Sequence, residues 1–224
     1  MKRSEINNII RQAKVFLQER RFLLPEWSDW SPNEWKGRYD ICKEVVDNML
    51  GWDITDFGSG DFKSKGLFLF TIRNGNLVAG GKTYAEKIMI VRENQETHIH
   101  FHWTKTEDII NRGGGNLAIE LYMADKQEKL SDEPVRFKID GIARICEAGG
   151  TVFLKPGESI CLEPYMSHRF YGAPGTGTVL VGEVSSVNDD TTDNCFLDGV
   201  GRFPAIEEDE PPIHLLVSDY PKYL

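Results

Sequence analysis

Three of the five histidines of this 224-residue chain lie in one stretch, His98-Ile99-His100-Phe101-His102-Trp103-Thr104-Lys105-Thr106-Glu107. In an extended strand alternate side chains share a face, so His100 and His102 can point at one metal ion, and His98 can line the same face. Glu107 follows His102 by five positions, which places it on the opposite face of an unbroken strand. A bulge or bend must therefore intervene if Glu107 is a ligand, and Lys105 would then face the same cavity.

Imidazole and carboxylate ligands suit Zn, Fe, Ni, Co or Mn, and this stretch has no cysteine of the kind that a structural zinc site uses. A mixed nitrogen and oxygen ligand set favours a catalytic metal. The alternative is an exposed histidine-rich strand that binds nothing specific.

A fourth ligand is expected from the segment Lys155–Gly172. A turn at Pro156-Gly157 leads into a strand, Glu163-Pro164 forms a corner, and His168 begins the next strand. A lone histidine is more often packed or hydrogen-bonded than metal-binding, but its position after this corner makes His168 a candidate ligand. His98 is assigned to the surroundings of the metal, and His214 has no motif context.

The composition excludes several classes of partner. The formal net charge of −9 opposes binding to nucleic acid or to an anionic membrane. No apolar run approaches the length of a membrane span, and the first residues are polar where a signal peptide would be apolar, so we expect a cytoplasmic protein. The cysteines form no C-x-x-C pair and are expected to be reduced. They are Cys42, Cys146, Cys161 and Cys195.

The chain divides into helical and strand-rich parts. Apolar residues at helical spacing predict a helix over residues 4–20, and a capping box at Ser31–Glu34 predicts a second one ending near Leu50. Beyond it we expect many short strands, as in a sandwich or barrel. The predicted strands are 67–73, 87–92, 117–124, 135–139, 151–154, 159–162, 168–171 and 178–187.

Two connecting segments are also predicted. The run Asn111–Asn116, with three consecutive glycines, is read as a tight connection, or as a place where substrate or a neighbouring strand comes close. Glu207–Pro212 is read as a solvated loop, and 213–224 as a tail that docks on the domain.

Both histidine segments resemble the motifs of the cupin superfamily: H-x-H followed by Glu, then Pro-Gly with a later His. The longer pattern H-F-H-W-x-K-x-E-D-I-x-N-R-G-G-G-N-L, with G-R-F-P-x-I-E-E-D-E near the C-terminus, is similar to the D-lyxose ketol-isomerases. The resemblance implies a mainly β cupin barrel, a double-stranded β-helix, with N-terminal helices packed outside. It divides one domain, 1–224, into a helical segment (1–50), a barrel core (67–190) and a C-terminal extension (191–224).

The same resemblance implies a metal-dependent aldose–ketose isomerase that interconverts D-lyxose with D-xylulose and D-mannose with D-fructose. The ion would be Mn(II), or else Co, Ni, Fe or Zn, and the substrate a free monosaccharide. By analogy with other cupins the chain would be a homodimer, with the helices or the C-terminal tail at the interface.

Isomerisation needs a group that moves a proton between C1 and C2 through a cis-enediol, unless a hydride shifts directly. Lys105 is the candidate for stabilising or protonating a sugar oxygen, and Glu207 or Glu183 for the general base, Glu207 ranking slightly ahead. Asp190 and Asp193 are candidates for binding sugar hydroxyls, although either could cap a turn. Trp103, Phe170 and Tyr171 could form an apolar wall, although aromatic side chains in strands are more often core.

Two rival functions use the same residues. Three histidines and a glutamate also serve cupin dioxygenases that use Fe(II) and consume oxygen. A non-catalytic sugar-binding cupin would keep the metal and the sugar without turnover. A phosphosugar isomerase is a close variant, but no phosphate clamp is evident in the sequence, so a free sugar is favoured.

Overall fold

The computed structural model describes residues 1–187, 189, 192–198 and 201–224. Four helices lie in this part of the chain: α1 (Arg3–Glu19), α2 (Pro32–Trp35), α3 (Tyr39–Asp47) and α4 (Tyr220–Tyr223). Single 3-10 turns lie at Glu26–Asp29 and Val217–Asp219. No helix among the described residues combines the length and the apolarity needed to cross a bilayer.

The strands in chain order are β1 (Gly51–Thr55), β2 (Leu67–Arg73), β3 (Tyr84–Val91), β4 (His100–Phe101), β5 (Glu107–Gly114), β6 (Leu117–Ala124), β7 (Leu130–Ser131), β8 (Val135–Ile139), β9 (Ile142–Cys146), β10 (Gly150–Leu154), β11 (Ser159–Leu162), β12 (Met166–Gly172), β13 (Val179–Ser186) and β14 (Cys195–Phe196).

The strands of the described chain form two antiparallel sheets. The larger has the order β1-β2-β3-β13-β5-β11-β8-β9, and the smaller has β10-β6-β12-β4-β14, with β7 paired to β6. Side chains of both sheets pack against each other in one apolar core that includes Met89, Ile109, Leu121 and Val181. This is the mainly β cupin-type architecture that was predicted, with the core and the site between the sheets.

The N-terminal helix covers the outer face of the larger sheet. Ile6 and Ile10 of α1 pack with Trp52, Phe68 and other outward-facing side chains of β1 to β3. Because side chains alternate along a strand, β1 and β2 are covered by α1 on one face and line the barrel with the other. The predicted helix over 4–20 and its position outside the barrel are confirmed.

The second predicted helix is broken into α2 and α3. The capping box of Ser31 and Glu34 is present, but Lys36 leaves the helical conformation (ψ 127°) and Gly37 has φ +71°. Glycine adopts a positive φ without steric cost, so the chain can turn here, and the helix restarts at Tyr39.

Several strands differ from their predicted bounds. β1 was not among the predicted strands, yet it pairs with β2 along its whole length. β3 begins at Tyr84 rather than Lys87, and β9 was missed because most of its residues are exposed. The larger sheet therefore begins before residue 67. The smaller sheet extends past 190, because β14 pairs with β4.

The glycine-rich segment is largely strand, not a separate connection. β5 runs to Gly114, and a Cβ added at Gly114 or Gly115 would lie 2.2 Å from the carbonyl oxygen of Thr178 or Gly177. These glycines let the end of β5 approach the residues that lead into β13, which agrees with the alternative that a neighbouring chain segment comes close.

Candidate metal centre and active site

The two halves of the histidine motif meet on neighbouring strands. His100 in β4 lies directly opposite His168 in β12, and His102 follows the end of β4. The chain is not extended between His102 and Glu107, where β5 of the other sheet begins. The expected bend is therefore present, and it carries Glu107 from the smaller sheet to the larger one.

The three imidazoles share one small volume, with their ligand atoms within 4.8 Å of one another. Each Nδ1 lies at a backbone carbonyl oxygen: His100 at that of His98 (2.9 Å), His168 at that of Met166 (3.0 Å), and His102 at that of Asp193. A carbonyl can only accept, so each Nδ1 carries the proton and each Nε2 keeps its lone pair. That is the tautomer a metal ligand needs.

Glu107 completes the set of acceptors. Its Oε1 lies 3.2 Å from Nε2 of His168 and 3.5 Å from Nε2 of His102. No described residue donates a hydrogen bond to this buried oxygen. A carboxylate oxygen and imidazole lone pairs all seek a positive partner, so the donor set fits a divalent cation.

Burial and neighbouring charges favour the protonation states that ligands need. The pKa of His100 is held well below its usual value, first by burial and then by repulsion from His168 and His102. Burial by itself would raise the pKa of Glu107, but Lys105 and His102 outweigh it, and the pKa of this carboxyl lies well below its ordinary range. A neutral imidazole at His100 and an ionised carboxylate at Glu107 are therefore the favoured forms.

A chain of buried charged groups leads away from Glu107. Nζ of Lys105 lies 2.7 Å from Oε2 of Glu107 and 3.2 Å from Oε1 of Glu183 on β13. Nζ of Lys87 on β3 lies 3.5 Å from the same Glu183 oxygen. All four side chains are buried. Glu183 is thus a carboxylate outside the ligand set but linked to it through one lysine, as a general base beside a metal would be.

These groups line a cavity of about 50 Å³. Aromatic side chains form its apolar wall, including Phe170 as predicted and Phe57 and Phe196, which sequence reasoning missed. Arg202 also lines the cavity and pairs with Asp53 at 2.6 Å. Its segment, Gly201-Arg202-Phe203-Pro204, was singled out by the resemblance, but for Glu207 rather than for this arginine.

Asp193 and Trp103 lie beside the histidine segment rather than in the cavity wall. The Asp193 carboxylate accepts hydrogen bonds from the amides of Trp103, Thr104 and Lys105, and its carbonyl faces His102. The Trp103 indole donates to Glu128 on the outside. Both side chains therefore bond within the protein, and Asp193 holds the segment that follows His102.

Glu207, which was predicted as a general base, lies on the protein surface. Its side chain is 69% exposed and lies 4.0 Å from Lys2 at the N-terminus. It does not line the cavity, so we leave it out of the proposal below. The solvated character predicted for its loop agrees with this exposure.

The remaining predicted residues have different positions. Tyr171, next to Phe170, points to the other face of β12 and is absent from the cavity lining. His98 is buried next to Phe57, and its Nδ1 lies 3.0 Å from Asp198. Asp190 lies outside the described residues.

Comparison with known proteins identifies the family of the chain. A profile described as D-lyxose isomerase matches residues 1–220. The chain belongs to the D-lyxose isomerase family. It is 49% identical to a D-lyxose/D-mannose isomerase of Serratia proteamaculans and 48% identical to one of Escherichia coli O157:H7, each over the full length of both chains. The predicted enzyme class, an aldose–ketose isomerase, is confirmed.

Solved structures show the same fold in more distant proteins. L-ribose isomerase of Acinetobacter sp. DL28, in complex with L-ribose, superposes with a TM-score of 0.62 at 17% identity. The match covers 92% of this chain and 98% of that one. L-ribose isomerase of Cellulomonas parahominis, with L-ribose, gives 0.61 at 16% identity with the same coverage. These likenesses concern the fold alone.

Proposed function

We propose that this isomerase interconverts D-lyxose with D-xylulose and D-mannose with D-fructose. The names of the two full-length relatives support these substrates. The observation that carries the proposal is the buried meeting of three imidazole lone pairs and an unpartnered Glu107 oxygen with the Lys105–Glu183 pair. That arrangement offers a metal site and a proton carrier in one cavity.

His100, His102, His168 and Glu107 would hold the divalent ion, with Mn(II) the first choice and Co, Ni, Fe or Zn as alternatives. When bound, the ion would supply Lewis-acid polarisation of the sugar carbonyl. The three backbone carbonyls at the Nδ1 atoms support this assignment, because they hold each ring in a ligand-competent tautomer before any ion arrives.

Glu183 is the proposed general base. Its carboxylate takes the proton from C2 of the aldose, and the C–H electron pair forms the C1–C2 double bond of a cis-enediol. The carbonyl electron pair moves to O1, which takes a proton from the Lys105 ammonium. Glu183, whose carboxyl proton can exchange with solvent between the two transfers, then protonates C1, while O2 gives its proton back to the Lys105 amine and becomes the ketose carbonyl. One side chain thus serves both carbons.

Lys105 is the proposed partner of the developing negative charge. Its ammonium lies between Glu107 and Glu183, with little exposure to water, so its charge is weakly screened. From there it can donate a hydrogen bond to the sugar oxygen as charge accumulates. The apolar wall of Phe57 and Phe170 keeps water from the enediol.

The cations around the cavity support a free sugar over a phosphosugar. Lys105 and Lys87 lie at Glu183, and Arg202 lies at Asp53. Each positive charge is thus already opposed by a carboxylate within the protein. A phosphate group would have to displace these carboxylates before it could bind.

The experiment compares chelator-stripped and Mn(II)-loaded protein on D-lyxose and D-mannose, with ketose as the measured product. We expect Glu183→Gln to lower kcat about 10²–10⁴-fold while Mn(II) binding is retained. Lys105→Met should also reduce kcat, and the surface variant Glu207→Gln should match the wild type. In D₂O the ketose should carry deuterium at C1; its complete absence would favour a direct hydride shift.

The rival functions give different results. Oxygen consumption with Fe(II) and no ketose would indicate a dioxygenase, and sugar binding without turnover would indicate a binding protein. Loss of Mn(II) dependence while turnover persists would overturn the metal assignment.

We further propose a cytoplasmic homodimer. Edge strand β9 of the larger sheet carries the exposed apolar side chains Ile142 and Ile145 (both 56%), and edge strand β10 of the smaller sheet carries Phe153 (53%). These side chains support association there. The C-terminal tail is a less suitable interface, since Leu215, Val217 and Tyr220 pack within their own chain. The four reduced cysteines, all in the described chain, support a reducing compartment. Light scattering of the wild type and Ile145→Lys tests the dimer.

A further inference from the structure

The cavity at the metal centre is too small for a whole sugar. Its volume is about 50 Å³, whereas pockets for small ligands commonly occupy about 300–1,000 Å³. Only the reacting end of a monosaccharide fits beside His100, Glu107 and Glu183. The rest of the molecule therefore needs space elsewhere.

A second cavity of about 330 Å³ lies next to the first and shares Lys87 with it. Asp53, which lines the second cavity, pairs with Arg202, which lines the first. Thus Lys87 and the Asp53–Arg202 pair lie at the boundary between the two spaces. The larger cavity has the volume that a small ligand needs.

Thr71 on β2 brings a hydroxyl group into the wall of the larger cavity. The residue is only 5% exposed, yet its hydroxyl is not one of the fully buried side-chain atoms that lack a partner, so it is open to the cavity. A sugar hydroxyl, which can both donate and accept, can hydrogen-bond to it there. A register shift immediately after Thr71 marks a β-bulge, a feature common beside active sites.

The sheet register relates Thr71 to the proposed base. Thr71 lies opposite Lys87, and Lys87 lies opposite Glu183, so the three side chains occupy one row across β2, β3 and β13. Adjacent strands are about 4.8 Å apart, which places Thr71 about 10 Å from Glu183 along the sheet. When C2 lies at Glu183, an extended six-carbon sugar is long enough for its terminal hydroxyl to reach Thr71, because both side chains project from the sheet into the cavity. A pentose ends one carbon short of Thr71.

We propose that the cavity of Asp53, Thr71 and Lys87 binds the tail of the sugar chain, and that the Thr71 hydroxyl bonds the terminal hydroxyl group of a hexose. This assignment rests on the proposed function. D-mannose and D-lyxose share the configuration from C2 to C4 and differ only in the additional carbon of the hexose. Thr71 would therefore set the preference between them.

The test compares wild type, Thr71→Val, Thr71→Ser and the outer-face control Thr151→Val on both sugars, all loaded with Mn(II). Valine keeps the shape of threonine and removes the hydroxyl. We expect Thr71→Val to lower kcat/KM for D-mannose about three- to tenfold, as for one lost hydrogen bond, and to change the value for D-lyxose less than about twofold. Thr71→Ser should restore D-mannose turnover, and Thr151→Val should behave as wild type.

A binding measurement separates this inference from the isomerase proposal. Calorimetry with D-mannitol and D-arabinitol, the alditols of D-mannose and D-lyxose, reports on the cavity without turnover. The six-carbon alditol should bind more tightly to the wild type, and Thr71→Val should remove that advantage. An equal fall for both sugars, or no difference between the alditols, would overturn the assignment of Thr71. A wild type that turns over neither sugar would overturn the proposed function instead.

Discussion

Removing the Asp193 carboxylate should weaken metal binding without altering sugar recognition. Oδ1 accepts from the amides of Trp103 (2.9 Å) and Thr104 (3.0 Å), and Oδ2 from the amide of Lys105 (3.0 Å) and the hydroxyl of Thr104 (2.9 Å). The Asp193 carbonyl also faces Nδ1 of His102. One residue thus holds the bend that joins His102 to Glu107.

The expected magnitude follows from those contacts. A hydrogen bond to an ionised group contributes about 1.5–3 kcal/mol, and water replaces part of that at a half-exposed side chain, so Asp193→Ala should cost the bend about 2–3 kcal/mol. Partners that orient a metal ligand typically change metal affinity 10–100-fold, which is about 1.4–2.8 kcal/mol. Asp193→Asn should be intermediate, because the oxygen can still serve two amides while its NH₂ group opposes the Lys105 amide.

The assay is calorimetric titration of Mn(II) into metal-free protein, followed by kinetics at saturating Mn(II). Asp125→Ala is the matched control, since Asp125 is also half-exposed and caps the amides of Gln127 and Lys129 in a turn outside the cavity. We expect unchanged KM for D-lyxose at saturating Mn(II) in every variant. A raised KM with unchanged Mn(II) affinity in Asp193→Ala would refute the positioning role and restore Asp193 as a substrate ligand.

Three further outcomes are expected. Arg3→Met should lower the free energy of unfolding in urea by about 3–5 kcal/mol, because it leaves the buried Asp219 carboxylate without its bidentate partner. Wild-type stability should fall as the pH drops below 6.5, since burial lowers the pKa of His214 and the unfolded chain takes up the proton first; His214→Gln should reduce that slope. Iodoacetamide should modify Cys161 slowly at neutral pH until the chain unfolds, because burial raises the pKa of this thiol to about 11, and fast modification of native protein would contradict this.

The ligand set could be predicted from the sequence because its determinants are local. The alternation of His100 and His102 follows from strand geometry, and the odd spacing to Glu107 requires a bend, which the structure has between β4 and β5. The turn at Pro156-Gly157 and the corner before His168 were likewise readable from residue types. Helix α1 was predictable because its apolar spacing spans several turns.

The sequence pattern failed to predict strands whose environment is formed by another part of the chain. Gly51 and Asp53 are unfavourable for a strand, but pairing with β2 and the contact of Asp53 with Arg202 make β1 a buried strand of the barrel. β9 has no buried face, so its sequence lacks the alternation of apolar and polar residues that predicts a strand.

By itself the sequence determined the strand at His100, the position of His102 two residues later, the need for a bend before Glu107, and the family to which the chain belongs. As general base it ranked Glu207 slightly ahead of Glu183, because the segment of Glu207 carries the family resemblance. Only the tertiary structure shows how their environments differ: pairing of β13 with β3 and β5 buries Glu183 between Lys87 and Lys105, whereas Glu207 is exposed to water beside Lys2. The physical reason is that the environment of a carboxylate is set by contacts between residues far apart in sequence, and spacing along one segment does not record them.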